Sequence, residues 1–496
     1  MILHMDRLVR DIQSQTIDLC TVDMISSFAN IPYFFFYGND ASKPEFMTTE
    51  LLRESFYTAV LDFPILVGHL VMDSGGRAKV VVDKDNLNLP EFLESHSDVH
   101  FRDVQDAKFG WTALPDGIAT VGSLTTAGAD GVIKFVNIHV VRLRDNSGVV
   151  MFANIPHYVV DGVGYCAFVN RWAEVCKWMR GGATAGTLPA FQGNFARSTL
   201  SNHLPETSAP LDETTRDLFT KSGPLSKWLA WISPKTRGAV LKTTVAMTPI
   251  EGHVFHVSKE RLASLHALVQ ENVTSDERIT DNDILTALIS MAVAQSEAEC
   301  KQAAAAATRG YLASLATYLL PSAFAQDSEF WAEIVCDARP RLPGLSAAQY
   351  TGNSVFVRCL ISKLDALACG IDAQSLTLEA KKVRQLVDSV DSEFIGQLFS
   401  TLNSDPSCFM CPIVQVLAKT SIVVSNQSRF TLYGADFGDG IPVWVSPIKT
   451  FYANFASVLP VQPSTGGYAI YVTLSKQAMA KLLQNDFWMN SVELLY

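Results

Sequence analysis

An imidazole and a carboxylate four residues apart, His157 and Asp161, stand in the stretch Asn154-Ile-Pro-His-Tyr-Val-Val-Asp-Gly-Val-Gly-Tyr165. A neutral histidine takes a proton from a hydroxyl or thiol near pH 7, because its unperturbed pKa is ~6.5. The carboxylate can orient its neighbours or close an ion pair. The preceding segment, Gly148 to Ile155, is strongly apolar and predicts a buried strand, and Phe168 to Glu174 predicts a helix. The imidazole therefore belongs at a strand-to-helix junction, where a site can open beside a rigid core. The H-x-x-x-D spacing alone recurs by chance, and without further support a satisfied core histidine is the better reading.

Support comes from a second segment, Tyr433-Gly-Ala-Asp436-Phe437-Gly438-Asp439-Gly440-Ile-Pro442-Val-Trp444. Its glycines and proline mark a tight, specified turn between apolar runs. H-x-x-x-D-G in the first half with D-F-G-x-G in the second resembles the BAHD acyltransferases, which move acyl groups from coenzyme A thioesters onto alcohols or amines. Further matches follow in the family's order. They are Leu51 to Leu61 with Phe63-Pro-Ile-Leu-Val-Gly68, Phe168-x-x-x-Trp172-Ala173, Asp281 to Leu288, Asp337-Ala-Arg339-Pro-Arg341-Leu342, Gly352-Asn353, and Gly466 to Leu474.

The resemblance implies an α/β fold of two similar-sized chloramphenicol-acetyltransferase-like domains, with mixed sheets flanked by helices. It implies His157 as the general base that deprotonates the acceptor, where Pro156 takes the place of the first of two adjacent histidines found in many members. It turns Asp161 away from the substrate towards Arg339, a structural pair that holds the junction together, with Gly162 allowing a sharp turn or close packing. Asp436, Phe437, Gly438 and Gly440 form a structural loop. Asp439 stands where plant-type members carry tryptophan, so it must be exposed or paired, and in this the chain looks more like the fungal branch. The family's indole donor to the developing oxyanion falls at Ser425-Asn426-Gln427, where the Gln427 amide or the Ser425 hydroxyl can donate, or an ordinary polar loop stands. Acyl-CoA, most simply acetyl-CoA, is the implied co-substrate, with no permanently bound cofactor and no metal. Lys259, Lys419, Arg429 and Lys449 are the basic candidates for its phosphates, or else solvated surface charges. The partner is a small hydroxylated acceptor.

Length and composition agree with this resemblance. With 496 residues the chain suggests two domains. A formal net charge of −11 argues against a nucleic-acid partner. Nine cysteines, an odd number, read as reduced thiols of an intracellular protein, and Cys408-x-x-Cys411 lacks the second pair a zinc site needs. The apolar stretch from Ile25 to Tyr37 is interrupted by polar residues and too short to span a bilayer. The expectation is a monomeric, cytoplasmic protein.

The clearest composition shift, rich in Gly, Pro, Ser and Thr, begins at Gly181. It divides the chain into an N-terminal acyltransferase domain carrying His157 (1–180), a crossover linker (181–242) and a C-terminal domain carrying the Asp436–Gly440 loop (243–496). Strands are expected at Val80–Val82, Val132–Val141, Val149–Ile155 and Gly252–Val257. Helices are expected at Thr49–Leu61, Lys259–Gln270 and Asn282–Gln295, and the alanine run 303–307 is an exposed helix or an insertion. No phosphate-binding glycine loop occurs. The first functional reading is an O-acyltransferase acting on an apolar terpenoid, alkaloid or polyketide. Two others stand beside it: a peptide-synthetase condensation-like enzyme, and a retired binding protein of the same fold.

Overall fold

The computed structural model describes residues 8–496 except 28, 41, 74–76, 119–130, 183–185, 207–209, 221–227, 229–230, 233–235, 237–239, 241–248, 275–276, 308–327, 347–349, 405–419 and 451–452, and the side chains of 304–307. Lys419, Cys408 and Cys411 lie outside the described residues, as does much of 181–242.

The described strands, in chain order, are β1 (Gln15–Asp18), β2 (Asn30–Gly38), β3 (His69–Met72), β4 (Ala78–Val82), β5 (Glu91–His96), β6 (Asn137–Arg142) and β7 (Gly148–Pro156) in the first part. The second part has β8 (Ile250–Val257), β9 (Glu329–Asp337), β10 (Val355–Lys363), β11 (Ser421–Asn426), β12 (Trp444–Pro447), β13 (Phe455–Pro460), β14 (Tyr468–Ser475) and β15 (Glu493–Leu494). The longer helices used below are α1 (Thr49–Val60), α2 (Gly162–Gly181), α3 (Lys259–Gln270) and α4 (Asp281–Ala307). Among the described residues none is long and apolar enough to cross a membrane.

Two larger mixed sheets result, ordered β12-β2-β7-β6-β5 and β10-β9-β11-β13-β14-β8-β15, with a small sheet β1-β4-β3. All nine residues of β7 are buried, because β2 and β6 flank it and its faces are covered. That is why its sequence is continuously apolar where a half-exposed strand would alternate. On this sheet, α1 and α2 meet through Phe56, Phe168 and Trp172, whose indole donates to the Leu52 carbonyl at 2.9 Å. A separate core lies under the larger sheet, around the buried face of α4 and of β9.

Two expectations shift. The strand read from Val132 begins only at Asn137: the Ile133 carbonyl is taken by the Asn88 amide at 2.9 Å, and pairing with β5 starts at Glu91 opposite Asn137. The helix read at Asn282–Gln295 runs on as α4 through the alanines to Ala307, as the high helix propensity of alanine favours. One crossing matters for the site. β12 leaves the second half and pairs antiparallel with β2, Trp444 opposite Phe36, so the Asp436–Gly440 loop packs against the first half's sheet and helices.

Candidate active site

β7 ends at Pro156 and delivers His157 into a short turn before α2. The His157 amide donates to the Ala29 carbonyl at 2.9 Å, tying the turn to the entry of β2. Its own carbonyl accepts from Asn353 Nδ2 at 2.6 Å. The side chain is half-buried, and Nδ1 is buried with no hydrogen-bond partner among the described residues. Burial pushes the imidazole pKa below its ordinary value, against the pull of its own backbone, Asp161, Asn353 and Asp23. His157 is therefore held neutral near pH 7, the state that accepts a proton.

Asp161 does not face His157. As N-cap of α2 it accepts from the Gly164 amide at 3.0 Å and from the Ser354 amide at 3.0 Å. Both oxygens meet Arg339, Oδ2 with Nη1 at 2.9 Å and Oδ1 with Nη2 at 3.1 Å. Arg339 spends its remaining donors on Asp337 at 2.9 Å, the Tyr350 carbonyl at 2.8 Å and the Gly352 carbonyl at 2.6 Å. Burial works against the Asp161 charge, but Arg339 and the two amides hold its carboxyl below the usual range. Asp161 therefore takes no part in a Ser-His-Asp style relay: its lone pairs are used elsewhere. Gly162 serves close packing, since a Cβ there would lie 2.1 Å from the Phe430 ring, and one on Gly164 would lie 2.2 Å from the Thr351 carbonyl.

Ser425 and Gln427 come together at the end of β11. Gln427 Oε1 accepts from the Tyr33 hydroxyl at 2.5 Å, and its Nε2 donates to Ser425 Oγ at 3.2 Å. Tyr33 belongs to β2 and pairs with Ala153 of β7, so this relay joins the second half to the strand that carries His157. With Oγ accepting from Gln427, the Ser425 O–H proton is left to donate.

The Asp436–Gly440 loop closes on itself. Asp436 Oδ1 accepts from the Gly438 and Gly440 amides at 2.9 and 3.0 Å, and both glycines have positive φ, 101° and 119°. Asp436 also meets Lys177 of α2 at 3.0 Å. Phe437 is buried against Trp172 and Tyr37. Asp439 takes the paired alternative: its side chain is 2% exposed and meets Arg180 at 2.5 Å and Lys43 at 3.2 Å, with the Met47 amide at 2.9 Å. A carboxylate thus does by ion pairing what a large apolar residue does by packing.

Of the basic candidates, Lys259 begins α3 and is exposed, packing its stem against the Gly466 turn. Arg429 is exposed on the loop after β11, close enough to Tyr468 to act on its hydroxyl. These two share the Gly466–Tyr468 end of β14. Lys449 is exposed and precedes Thr450, whose amide donates to the Tyr471 hydroxyl at 2.7 Å.

Sequence reading missed two contributors. Asn353 stands in the sequence only as part of the Gly352-Asn353 match, yet its amide grips the His157 carbonyl. Arg197 was inside the presumed linker, yet it is buried and hydrogen-bonded to the carbonyls of Tyr158 and Val159. An arginine in an apolar -Phe195-Ala-Arg-Ser-Thr-Leu200- context was the available signal.

Comparison with known proteins decides the family. A family model described as the Transferase family matches residues 9–488. The chain belongs to this family, the BAHD acyltransferases. It is 21% identical to the shikimate O-hydroxycinnamoyltransferase of Nicotiana tabacum, over 92% of each chain. Among solved structures it resembles F. graminearum TRI101 complexed with coenzyme A and T-2 mycotoxin, with a TM-score of 0.71, 14% identity, and 97% of this chain and 100% of that one covered. It also resembles vinorine synthase, with a TM-score of 0.59 and 14% identity over 96% and 97%. The two-domain α/β expectation is met, and the BAHD protein is an acyl-CoA-dependent acyltransferase that uses its thioester as co-substrate.

Proposed function

We propose that this BAHD enzyme transfers an acyl group, acetyl in the first instance, from coenzyme A to a hydroxyl of an apolar secondary metabolite, with His157 as general base. The observation that carries the reading is the neutral, partly accessible imidazole on a turn whose carboxylate is committed to Arg339. His157 takes the acceptor's proton as its oxygen attacks the thioester carbonyl. Ser425, oriented by Gln427 and Tyr33, donates to the oxygen that becomes negative. The proton passes from His157 to the departing coenzyme A sulfur. Among acceptors the terpenoid alcohols come first, because TRI101 is complexed with T-2 mycotoxin in one structure and with deoxynivalenol in another.

Transfer is direct, in a ternary complex. Cys166, the thiol nearest in sequence, is buried in α2, and burial pushes its pKa up to about 12, which suppresses the thiolate a covalent route requires. Lys259 and Arg429 are the preferred contacts for coenzyme A phosphates; Lys449 and Lys419 rank after them. The reading keeps the division into halves 1–180 and 243–496 about a linker 181–242, and a monomer in the cytoplasm.

The test is acyl transfer from acetyl-CoA and longer acyl-CoAs to a panel of hydroxylated terpenoids, alkaloids and polyketides, with products weighed by mass spectrometry. Double-reciprocal lines for the two substrates should intersect. Parallel lines, or one acyl mass added to protein incubated with acyl-CoA alone, would point to a covalent carrier instead.

A further inference from the structure

Three consecutive carbonyls of the turn after β7 are held from outside it. That of His157 accepts from Asn353 at 2.6 Å, and those of Tyr158 and Val159 accept from Arg197 Nη2 at 3.3 and 3.0 Å. Arg197 opens the short helix Arg197–Ser201 and also donates to the Phe195 carbonyl at 2.9 Å. Its charge meets Asp23, Nη2 to Oδ1 at 2.8 Å and Nε to Oδ2 at 3.0 Å. Asp23 is fully buried in the helix Thr21–Ile25 and further accepts from the Cys20 amide at 2.8 Å and thiol at 3.1 Å.

We infer that Arg197 is a positioning residue for the base: its planar fork fixes the turn that aims His157, and Asp23 cancels the fork's charge. The inference rests on His157 being the base. The Arg197 guanidinium reaches three carbonyls and both oxygens of a carboxylate, more acceptors than the three donors of an ammonium can serve. It cannot shed its proton, so a buried one without a counter-ion would repel the imidazolium that forms during transfer. The ionic groups around the turn fall in two sets: Arg339 between the two carboxylates of Asp161 and Asp337, and Arg197 matched one to one by Asp23, beside the Cys20 thiol. The Tyr158 and Tyr350 hydroxyls, both buried, stay neutral because burial raises their pKa.

The experiment separates charge from geometry. The His157 titration is followed by NMR in the whole protein, with His157→Ala assigning its signal. Asp23→Asn leaves Arg197 unbalanced and lowers the His157 pKa, and Asp23→Asn with Arg197→Gln, neutral again, returns it towards wild type. Arg197→Lys keeps the charge and loses the fork. It leaves the titration in place, while transfer of the acetyl group from acetyl-CoA to an alcohol, or to water where none is supplied, read as free coenzyme A, slows roughly ten- to a hundredfold at unchanged KM, as expected for a displaced catalytic group. An unmoved titration in Asp23→Asn, or wild-type release by Arg197→Lys, overturns the inference. The titration requires no turnover, so a protein inactive on every alcohol would refute the proposed reaction and still test the clamp.

Discussion

Asp161 and Arg339, 178 residues apart, face each other as a two-pronged buried pair, with side chains 1% and 2% exposed. The pair joins the N-terminus of α2 to the segment after β9. Its job is to hold the junction, because neither Asp161 oxygen is turned to the imidazole. Breaking such a pair from one side typically costs ~3–5 kcal/mol, since the other charge stays buried. Asp161→Asn and Arg339→Gln should each lower the melting temperature strongly. The double variant should lose less than the sum, with a coupling of ~0.5–3 kcal/mol. Additive losses would mean that the two side chains do not interact.

For His157 the sign of the pH dependence follows from burial. Its pKa is lowered, so the base stays neutral and active as pH falls below the ordinary histidine value of ~6.5. The acidic limb of kcat/KM should therefore lie below that value. His157→Ala should keep the fold and lose ~10²–10⁴ in turnover. A folded variant retaining a tenth of the wild-type rate, or an acidic limb above 6.5 that disappears with His157, would contradict this assignment.

Much of this site was legible in the sequence. His157, Asp161 and Arg339 sit in local patterns, and β7 shows itself by an unbroken apolar run. At Asp439 the sequence leaves two options, exposure or pairing, and burial selects the pair because a buried carboxylate must find a cation. What the sequence hid was long-range. Nothing local tells that Arg197 reaches back to Tyr158, or that Tyr33 of β2 meets Gln427, 394 residues away. The crossing of β12 onto β2 is hidden for the same reason: four strand residues reveal a period, not a partner.

The Tyr33–Gln427–Ser425 relay predicts a graded series. Ser425→Ala removes the proposed donor and should cost ~10²–10³ in kcat, the range for one lost oxyanion contact. Gln427→Leu and Tyr33→Phe leave the hydroxyl in place but free to turn, and each should cost less, in that order. KM for acyl-CoA should change little throughout. If Gln427→Leu proves worse than Ser425→Ala, the amide is the donor and the serine only its support.

Glu333, on β9, lies outside the proposed chemistry and gives an independent reading of the fold. It is 5% exposed, and its Oε1 has no hydrogen-bond partner among the described residues. Burial pushes its pKa up to about 8, against ~4.3 for an unfolded glutamate. The folded protein therefore holds a proton that the unfolded chain releases. Its contribution is intact below pH ~4.3 and is lost progressively as pH rises to about 8, at up to ~1.4 kcal/mol per pH unit. Glu333→Gln, close in shape and unable to ionise, removes that loss. Urea unfolding at pH 5, 6.5 and 8 should show the variant gaining on wild type at each step, most at pH 8. An equal difference at all three values would mean that Glu333 is ionised in the folded protein, with a counter-charge beside it.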